Sequence, residues 1–316
     1  MRKRPERTPA GRRAQRTDLH GLLRLAKPPG PSSNEVLQQV RRHLGWAKAG
    51  HAGTLDPAAS GLLLVLLGEA AKLVPYLAAL EKEYVGVARF GAETDTQDAA
   101  GAPTRTAPWE HVDAVRVAAS LASFAGASEQ EPPMFSALQV GGRRLYDLAR
   151  EGREVERAAR TIVVSEIRLL DWRPPDAEFL VRCSSGTYVR TIARDLGALC
   201  ASAAHLASLT RTGIGPFRLE GASTLEELAA LPAGAAPPLV RLADAVAHLP
   251  AVALSDREAA GVFDGRAPVL PAGDVPAHVA PGGTLALLDA SRRLLAVAKF
   301  IAPGVPVELL RGFREP

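Results

Sequence analysis

Two segments of the chain hold residues whose types and spacing can do chemistry. The first is Gly50-His51-Ala52-Gly53-Thr54-Leu55-Asp56-Pro57-Ala58-Ala59-Ser60-Gly61. Its glycines permit positive φ and let the backbone approach another molecule closely. Pro57 drives Asp56 toward extended geometry. A lone carboxylate there, just ahead of the apolar run Leu62 to Leu67, is placed to be a nucleophile or a base. The same aspartate also fits an N-cap or an Asx turn. The second segment is Cys183-Ser184-Ser185-Gly186-Thr187-Tyr188-Val189-Arg190-Thr191-Ile192-Ala193-Arg194-Asp195-Leu196-Gly197. A strand ends, the chain turns, and a helix follows from Thr187 to Leu199 with Thr187 as its cap. Arg190 falls in the first turn, where the helix dipole disfavours a cation. A nearby carboxylate would repair that, and Asp195 or Glu178 are partners of the simplest kind.

Other chemistries lack their signatures. There is no GxxxxGK[ST] loop, no GxGxxG after a strand and no GxSxG elbow. The seven histidines are scattered, without an HExxH pairing, so no metal site is expected. The two cysteines, Cys183 and Cys200, form no CxxC knuckle and read as small buried hydrophobes.

The elements that must position these residues follow from local pattern. Gly21 to Leu25 reads as a strand. Ser32-Ser33-Asn34 offers caps to a helix carrying Val36, Leu37, Val40 and Leu44, which Gly45 stops. A glycine-punctuated loop runs from Gly45 to Gly61. Leu62 to Leu67 reads as a buried central strand, Glu69 to Leu80 as a helix, Tyr84 to Phe90 as a strand and Asp113 to Phe124 as a helix. Residues 126–160, polar and arginine-bearing, look like an excursion from the core. Thr161 to Leu170, Glu178 to Cys183 and His205 to Thr210 are strand-like. The Pro/Ala/Gly segment 232–238 reads as a linker to a small β-rich module, with strands at Thr284 to Leu288 and Leu294 to Phe300.

The 316 residues fit two domains, and 47% hydrophobic with 23% charged residues fits a globular chain with a sizeable core. Net charge is +4, but residues 1–16 hold seven basic and one acidic residue, so the remainder is net negative. The basicity therefore belongs to an N-terminal tail, residues 1–18, expected to be disordered. Neither a membrane span nor a signal core is expected, because the longest uncharged apolar stretch is Leu62 to Leu67. A reducing cytoplasm is the expected compartment.

Five blocks in order resemble the TruB family of tRNA pseudouridine synthases. They are Lys27-Pro28-x-Gly30-x-Ser32-Ser33-Asn34; Gly50-His51-x-Gly53-Thr54-Leu55-Asp56-Pro57; Lys82-x-Tyr84 continuing to Gly91-x-x-Thr94-Asp95-Thr96-x-Asp98; Pro133-x-Phe135-Ser136-Ala137 with Gly142-x-Arg144-x-Tyr146-x-x-Ala149-Arg150; and Ser185-Gly186-Thr187-Tyr188-Val189-Arg190-Thr191 with Leu209-Thr210-Arg211 and Gly215-Pro216-Phe217. Together they span residues 20–220. Gln139 departs from a frequent family lysine, and Cys200 from an expected glycine.

The resemblance implies an α+β catalytic domain over residues 19–240 with a mixed, largely antiparallel sheet. It implies a PUA-like RNA-binding domain over 241–316, the place such a module takes in the family. The implied reaction isomerises uridine at position 55 of the tRNA T loop without cofactor or metal. Asp56 would be the catalytic aspartate, attacking C6 of the base or C1′ of the ribose. Arg190 would pair with it, and Tyr84 would lie against the flipped base and take the C5 proton. Leu209 would be an apolar wall, His51 would contact the opened T loop, and Tyr188 would bind substrate. Lys27 and Lys82 would support the site or RNA phosphates. The insertion 126–160 would clasp RNA, with Arg143 and Arg144 its first phosphate contacts. The implied partner is the tRNA T arm, with no obligate protein partner, and a monomer is expected because the sequence shows no obvious interface stripe. A guided enzyme acting on another RNA, or a non-catalytic RNA-binding or tRNA-folding protein, are the alternatives.

Overall fold

The computed structural model describes residues 20–45, 48–135, 139–140, 143–144, 155, 157–232 and 235–314. The basic tail, most of the insertion beyond 135 and part of the expected linker lie outside the described residues.

The strands of the first half are β1 (Gly21–Lys27), β2 (Ala49–Ala52), β3 (Ser60–Leu67), β4 (Lys82–Phe90), β5 (Ala92–Thr94), β6 (Pro103–Thr106) and β7 (Gly126–Gln130). Then come β8 (Gln139–Val140), β9 (Arg143–Arg144), β10 (Arg160–Arg173), β11 (Asp176–Cys183), β12 (Ala204–Ile214) and β13 (Phe217–Arg218). A nine-stranded sheet runs β1-β3-β12-β4-β11-β10-β7, with β2 on β3 and β13 on β12. Its pairs are antiparallel except β3 with β12, so the sheet is mixed and largely antiparallel.

Every residue of β3 after Ser60 is buried. Side chains alternate across a strand, so Leu62, Leu64 and Leu66 enter one core and Leu63, Val65 and Leu67 another. That double burial explains the unbroken apolar run. The second core is closed by α1 (Ser33–Leu44), which buries Val36, Leu37, Val40 and Leu44. Its capping box is reciprocal: Glu35 N–H donates to Ser32 Oγ, and Ser32 N–H donates to Glu35 Oε2. Gly45 ends it at φ 70°.

The second edge of β3 is divided. β2 takes Leu64 to Leu67, and β12 takes Ser60 and Gly61. The expected loop 45–61 therefore contains a strand, and its open part, 53–59, sits at the fork between β2 and β12. The expected helix 69–80 is a 3-10 turn (Gly68–Leu73) followed by the short α2 (Val74–Ala78). Pro75 lacks an N–H and so belongs in the first turn of a helix rather than its interior.

On the other half of the sheet, α3 (Ala114–Ala122) and α4 (Val189–Leu199) share a core with β4, β10, β11 and β12. Residues 126–130 do not leave the core as expected. They form edge strand β7, paired with the start of β10.

After Val240, whose backbone pairs with Leu22, a second sheet follows: β14 (Ala251–Ala253), β15 (Thr284–Leu288), β16 (Leu294–Lys299) and β17 (Glu308–Gly312), in that order. Ala286, Leu288, Leu294, Val297 and Phe313 join the core of Leu62, Leu64 and Leu66. The C-terminal module is thus packed onto the main sheet through shared apolar burial. Among the described residues no helix is long and apolar enough to cross a membrane.

Candidate active site

The loop 53–59 is held by groups from every side. Ser33, buried at the start of α1, accepts from Leu55 N–H at 2.8 Å and donates to Leu55 O at 3.1 Å. Lys27, 1% exposed, donates to Ala59 O at 2.7 Å, Pro28 O at 2.9 Å and Pro57 O at 3.2 Å. Arg211, also 1% exposed, fills the fork between β2 and β12. It donates to Leu62 O at 2.8 Å and to Gly53 O at 2.9 Å. Gly61 makes this possible. It lies at φ 108°, and a Cβ there would stand 2.3 Å from Arg211 O.

Asp56 projects from this loop into a cavity of about 230 Å³ whose lining includes Lys82, Tyr84, Arg160, Tyr188, Arg190, Leu209 and Arg211. Its side chain is 44% exposed to the cavity, whereas Arg190 is 5% exposed. Arg190 Nε lies 3.0 Å from Asp56 Oδ2. The Nε–H falls short of hydrogen-bond alignment, so the contact is an ion pair. Arg190 is fixed by its other nitrogens, which donate to Thr96 O and Phe135 O, each at 2.9 Å. Asp98 Oδ2 stands 3.6 Å away. Asp56 and Asp98 thus supply the carboxylates that a cation in the first turn of a helix calls for. Asp195 instead pairs with Arg194 at 2.6 Å. The helix start also differs from expectation. α4 begins at Val189 with Tyr188 as N-cap, and the Thr187 hydroxyl donates back to Ser184 O.

Charge shapes the site. Burial pushes the Asp56 carboxyl above its ordinary range; Arg190 and Lys27 pull it back, and Asp98 pushes it further up. Burial lowers Lys27 to about 8, with Asp56 holding it up and Arg211 pressing it down. Lys82 is likewise lowered to about 8 by burial and then by Arg211. It donates to Leu80 O at 2.5 Å and to Ala78 O. Burial raises the Tyr84 phenol, keeping it protonated. His51 is lowered by burial and by Arg211, so it is neutral, and its Nδ1 has no hydrogen-bond partner among the described residues.

Of the residues singled out in the sequence, Asp56, Tyr84, Lys82, Tyr188, Arg190 and Leu209 meet around one cavity. Lys27 supports it from behind. His51 lies on β2, two residues before the lining residue Gly53. Arg143 and Arg144 form a two-residue ladder with Gln139 and Val140, and their side chains lie outside the described residues. Both cysteines are buried, as expected. The sequence reading gave Arg211 no role. Its signal was spacing: on strand β12 it stands two residues from Leu209, on the same face. Among the described residues no group of three or more His, Cys, Asp or Glu is placed to share a metal ion.

A family model for the N-terminal domain of TruB family pseudouridylate synthases matches residues 41–189. The tRNA pseudouridine synthase B of Symbiobacterium thermophilum is 48% identical over 257 residues, 80% of this chain and 85% of that protein. That of Aromatoleum aromaticum is 47% identical over 262 residues, 83% and 85% of the two chains. Among solved structures, a Cbf5-Nop10-Gar1 complex superposes with TM-score 0.72 at 26% identity, covering 93% of this chain and 85% of that one. An H/ACA RNP bound to a substrate RNA containing 2′-deoxyuridine gives 0.71 at 25%, again covering 93% and 85%. The α+β fold with a PUA-like C-terminal sheet agrees with the reading from sequence.

Proposed function

The chain belongs to the TruB family of pseudouridylate synthases, an enzyme family acting on tRNA, and on that premise we propose that it isomerises the uridine at position 55 of the T loop with Asp56 as nucleophile. The observation that carries this is the Asp56–Arg190 pair at 3.0 Å on the wall of a base-sized cavity. Asp56 bonds to C1′ as N1 leaves it, or to C6 ahead of N1–C1′ cleavage; the uracil turns, C5 bonds to C1′ as the Asp56 bond breaks, C5 loses its proton and N1 takes one from water. Attack at C6 or at C1′ uses the same carboxylate.

A uridine in a folded loop reaches Asp56 only after extrusion, at a cost of a few kcal/mol. Stacking on Tyr84 and Tyr188 and contact with Leu209 offset part of that cost. Arg190 keeps the carboxylate ionised against its burial and fixes its direction. Tyr84 serves as a stacking wall for the flipped base, and its phenolic oxygen takes the C5 proton as its own proton passes to water. Lys27 and Arg211 hold the loop through its carbonyls, while Lys82 is anchored on Ala78 O and Leu80 O beside the cavity. His51, neutral at the cavity's edge, contacts the opened T loop. The insertion and the PUA-like module supply RNA contacts beyond the pocket, Arg143 and Arg144 among them. The enzyme works as a cytoplasmic monomer on the T arm.

The test is an unmodified T-arm stem-loop, incubated with the protein and read by carbodiimide-dependent primer-extension stops. A stop at the T-loop uridine is expected. No stop on this RNA or on full-length tRNA would favour a guided enzyme, the reading that the likeness to H/ACA complexes keeps in view.

A further inference from the structure

The chain leaves the main sheet after Gln130 and returns at Arg160, and these residues face each other on the last rung of the β7–β10 pair. Both grip the turn that leads into α4. Gln130, 6% exposed, accepts from Tyr188 N–H at 2.7 Å and donates to Tyr188 O at 3.1 Å. One side-chain amide thus pairs both backbone groups of one residue, as a rung of a β ladder would. Arg160 donates to Gly186 O and lies 4.7 Å over the Tyr188 ring, on which Arg190 also lies at 5.9 Å. Five residues beyond Gln130, Phe135 O receives the Arg190 guanidinium.

This arrangement matters because Tyr188 caps α4 without a side-chain hydrogen bond of its own. The first N–H groups of a helix have no partner inside it. Gln130 supplies one from another strand and so sets the phase at which α4 starts. Arg190 is two residues further on, and its aim at Asp56 follows from that phase.

We propose that Gln130 is a positioning residue of the reaction: by clamping the Tyr188 backbone it directs Arg190 at Asp56 and places the Tyr188 ring. Phe135, five residues along the chain from Gln130, holds the same arginine through its carbonyl, so both ends of this short stretch bear on Arg190. The proposal rests on Asp56 being the nucleophile.

The test compares wild type with Gln130→Met, which keeps length and removes both hydrogen bonds, and Gln130→Asn, which keeps the amide on a stem one methylene shorter. Three quantities are read: single-turnover rate on the T-arm RNA, RNA affinity, and the midpoint of Asp56 in RNA-free protein by carbon-13 carboxyl NMR, assigned against Asp56→Asn. The charged groups acting on Asp56 are Arg190, Asp98 and Lys27, and Tyr84, Lys82, Arg160 and Arg211 line the same cavity. Loosening Arg190 alone moves the midpoint up. Gln130→Met is expected to lose roughly tenfold to a hundredfold in rate, keep RNA affinity within about threefold, and raise the Asp56 midpoint. Gln130→Asn is expected to fall between. An unmoved midpoint, or an unchanged rate, overturns the proposal. A rate loss matched by weakened RNA binding also overturns it. Were wild type itself inactive on every tRNA, the proposed reaction would fall, while the titration would still judge the clamp.

Discussion

Arg190→Lys separates the geometry of the cation from its charge. The guanidinium donates to Thr96 O and Phe135 O and pairs by charge with Asp56, with Asp98 close by. An ammonium offers three donors from one atom and cannot span partners that the fork reaches with separate nitrogens. At least one of the two carbonyls loses its charged donor, which costs about 1.5–3 kcal/mol in stability. Both being lost would cost about twice that, less whatever water restores. The rate effect is larger in consequence. Misdirecting a preorganised group at a reacting charge costs on the order of 10²–10³ in rate, with RNA affinity within about threefold, because binding rests on a wider surface. The acid limb gives a second reading. Asp56 acts ionised, and burial already raises its carboxyl. Activity therefore falls as pH drops through that raised value, and weakening the Arg190 contact moves the fall to higher pH. The assay is release of hydrogen from C5-tritiated uridine under single turnover, across pH, with a melting curve beside it. A variant within about threefold of wild type at every pH would refute the argument, as would a rate loss traced wholly to RNA affinity.

Asp56→Asn should abolish isomerisation in the same assay while RNA binding persists. Burial makes the ionised form the costly one in the folded state, so the stability contribution of this group declines as pH rises above its unfolded value. The amide variant should accordingly melt no lower than wild type at neutral pH. Gly61→Ala places a Cβ 2.3 Å from Arg211 O at φ 108°, so separation of β3 from β12 and a loss of more than about 3 kcal/mol are expected by denaturant unfolding. Leu64→Ala, in the core shared with the C-terminal module, should cost about 2–5 kcal/mol. The protein that remains folded should keep its rate per molecule.

Much of the site was legible in the chain because its marks are local. A proline after Asp56 and glycines around it announce a shaped loop, and the cap residues Ser32-Ser33-Asn34 ahead of helically spaced apolar residues announce α1. Alternation and apolar runs announce β3, β4, β11 and β12. A cation in the first turn of α4 announced a missing carboxylate. Elements broke from expectation where a contact far along the chain decided the matter. Residues 49–52 became a strand because β3 offered them an edge. Residues 126–130 joined the sheet because β10 did the same. The cap of α4 is Tyr188 rather than Thr187, and Gln130 holds that backbone from another strand.

By itself, then, the sequence specified which residues carry reactive groups, which segments are regular, and the family to which the motifs point. The family resemblance already paired Arg190 with Asp56, but local spacing left that arginine to Asp195 or Glu178, and the tertiary structure is what brings Asp56 to 3.0 Å from it. It alone made Arg211 the buried pin of the loop. The reason is physical. Hydrogen-bond periodicity and turn preference act over a few residues and are written in the local sequence. The neighbours of Asp56 come from residues 27, 98 and 190, as well as from β12. They are assembled by strand order and register, which depend on burying all the apolar faces at once.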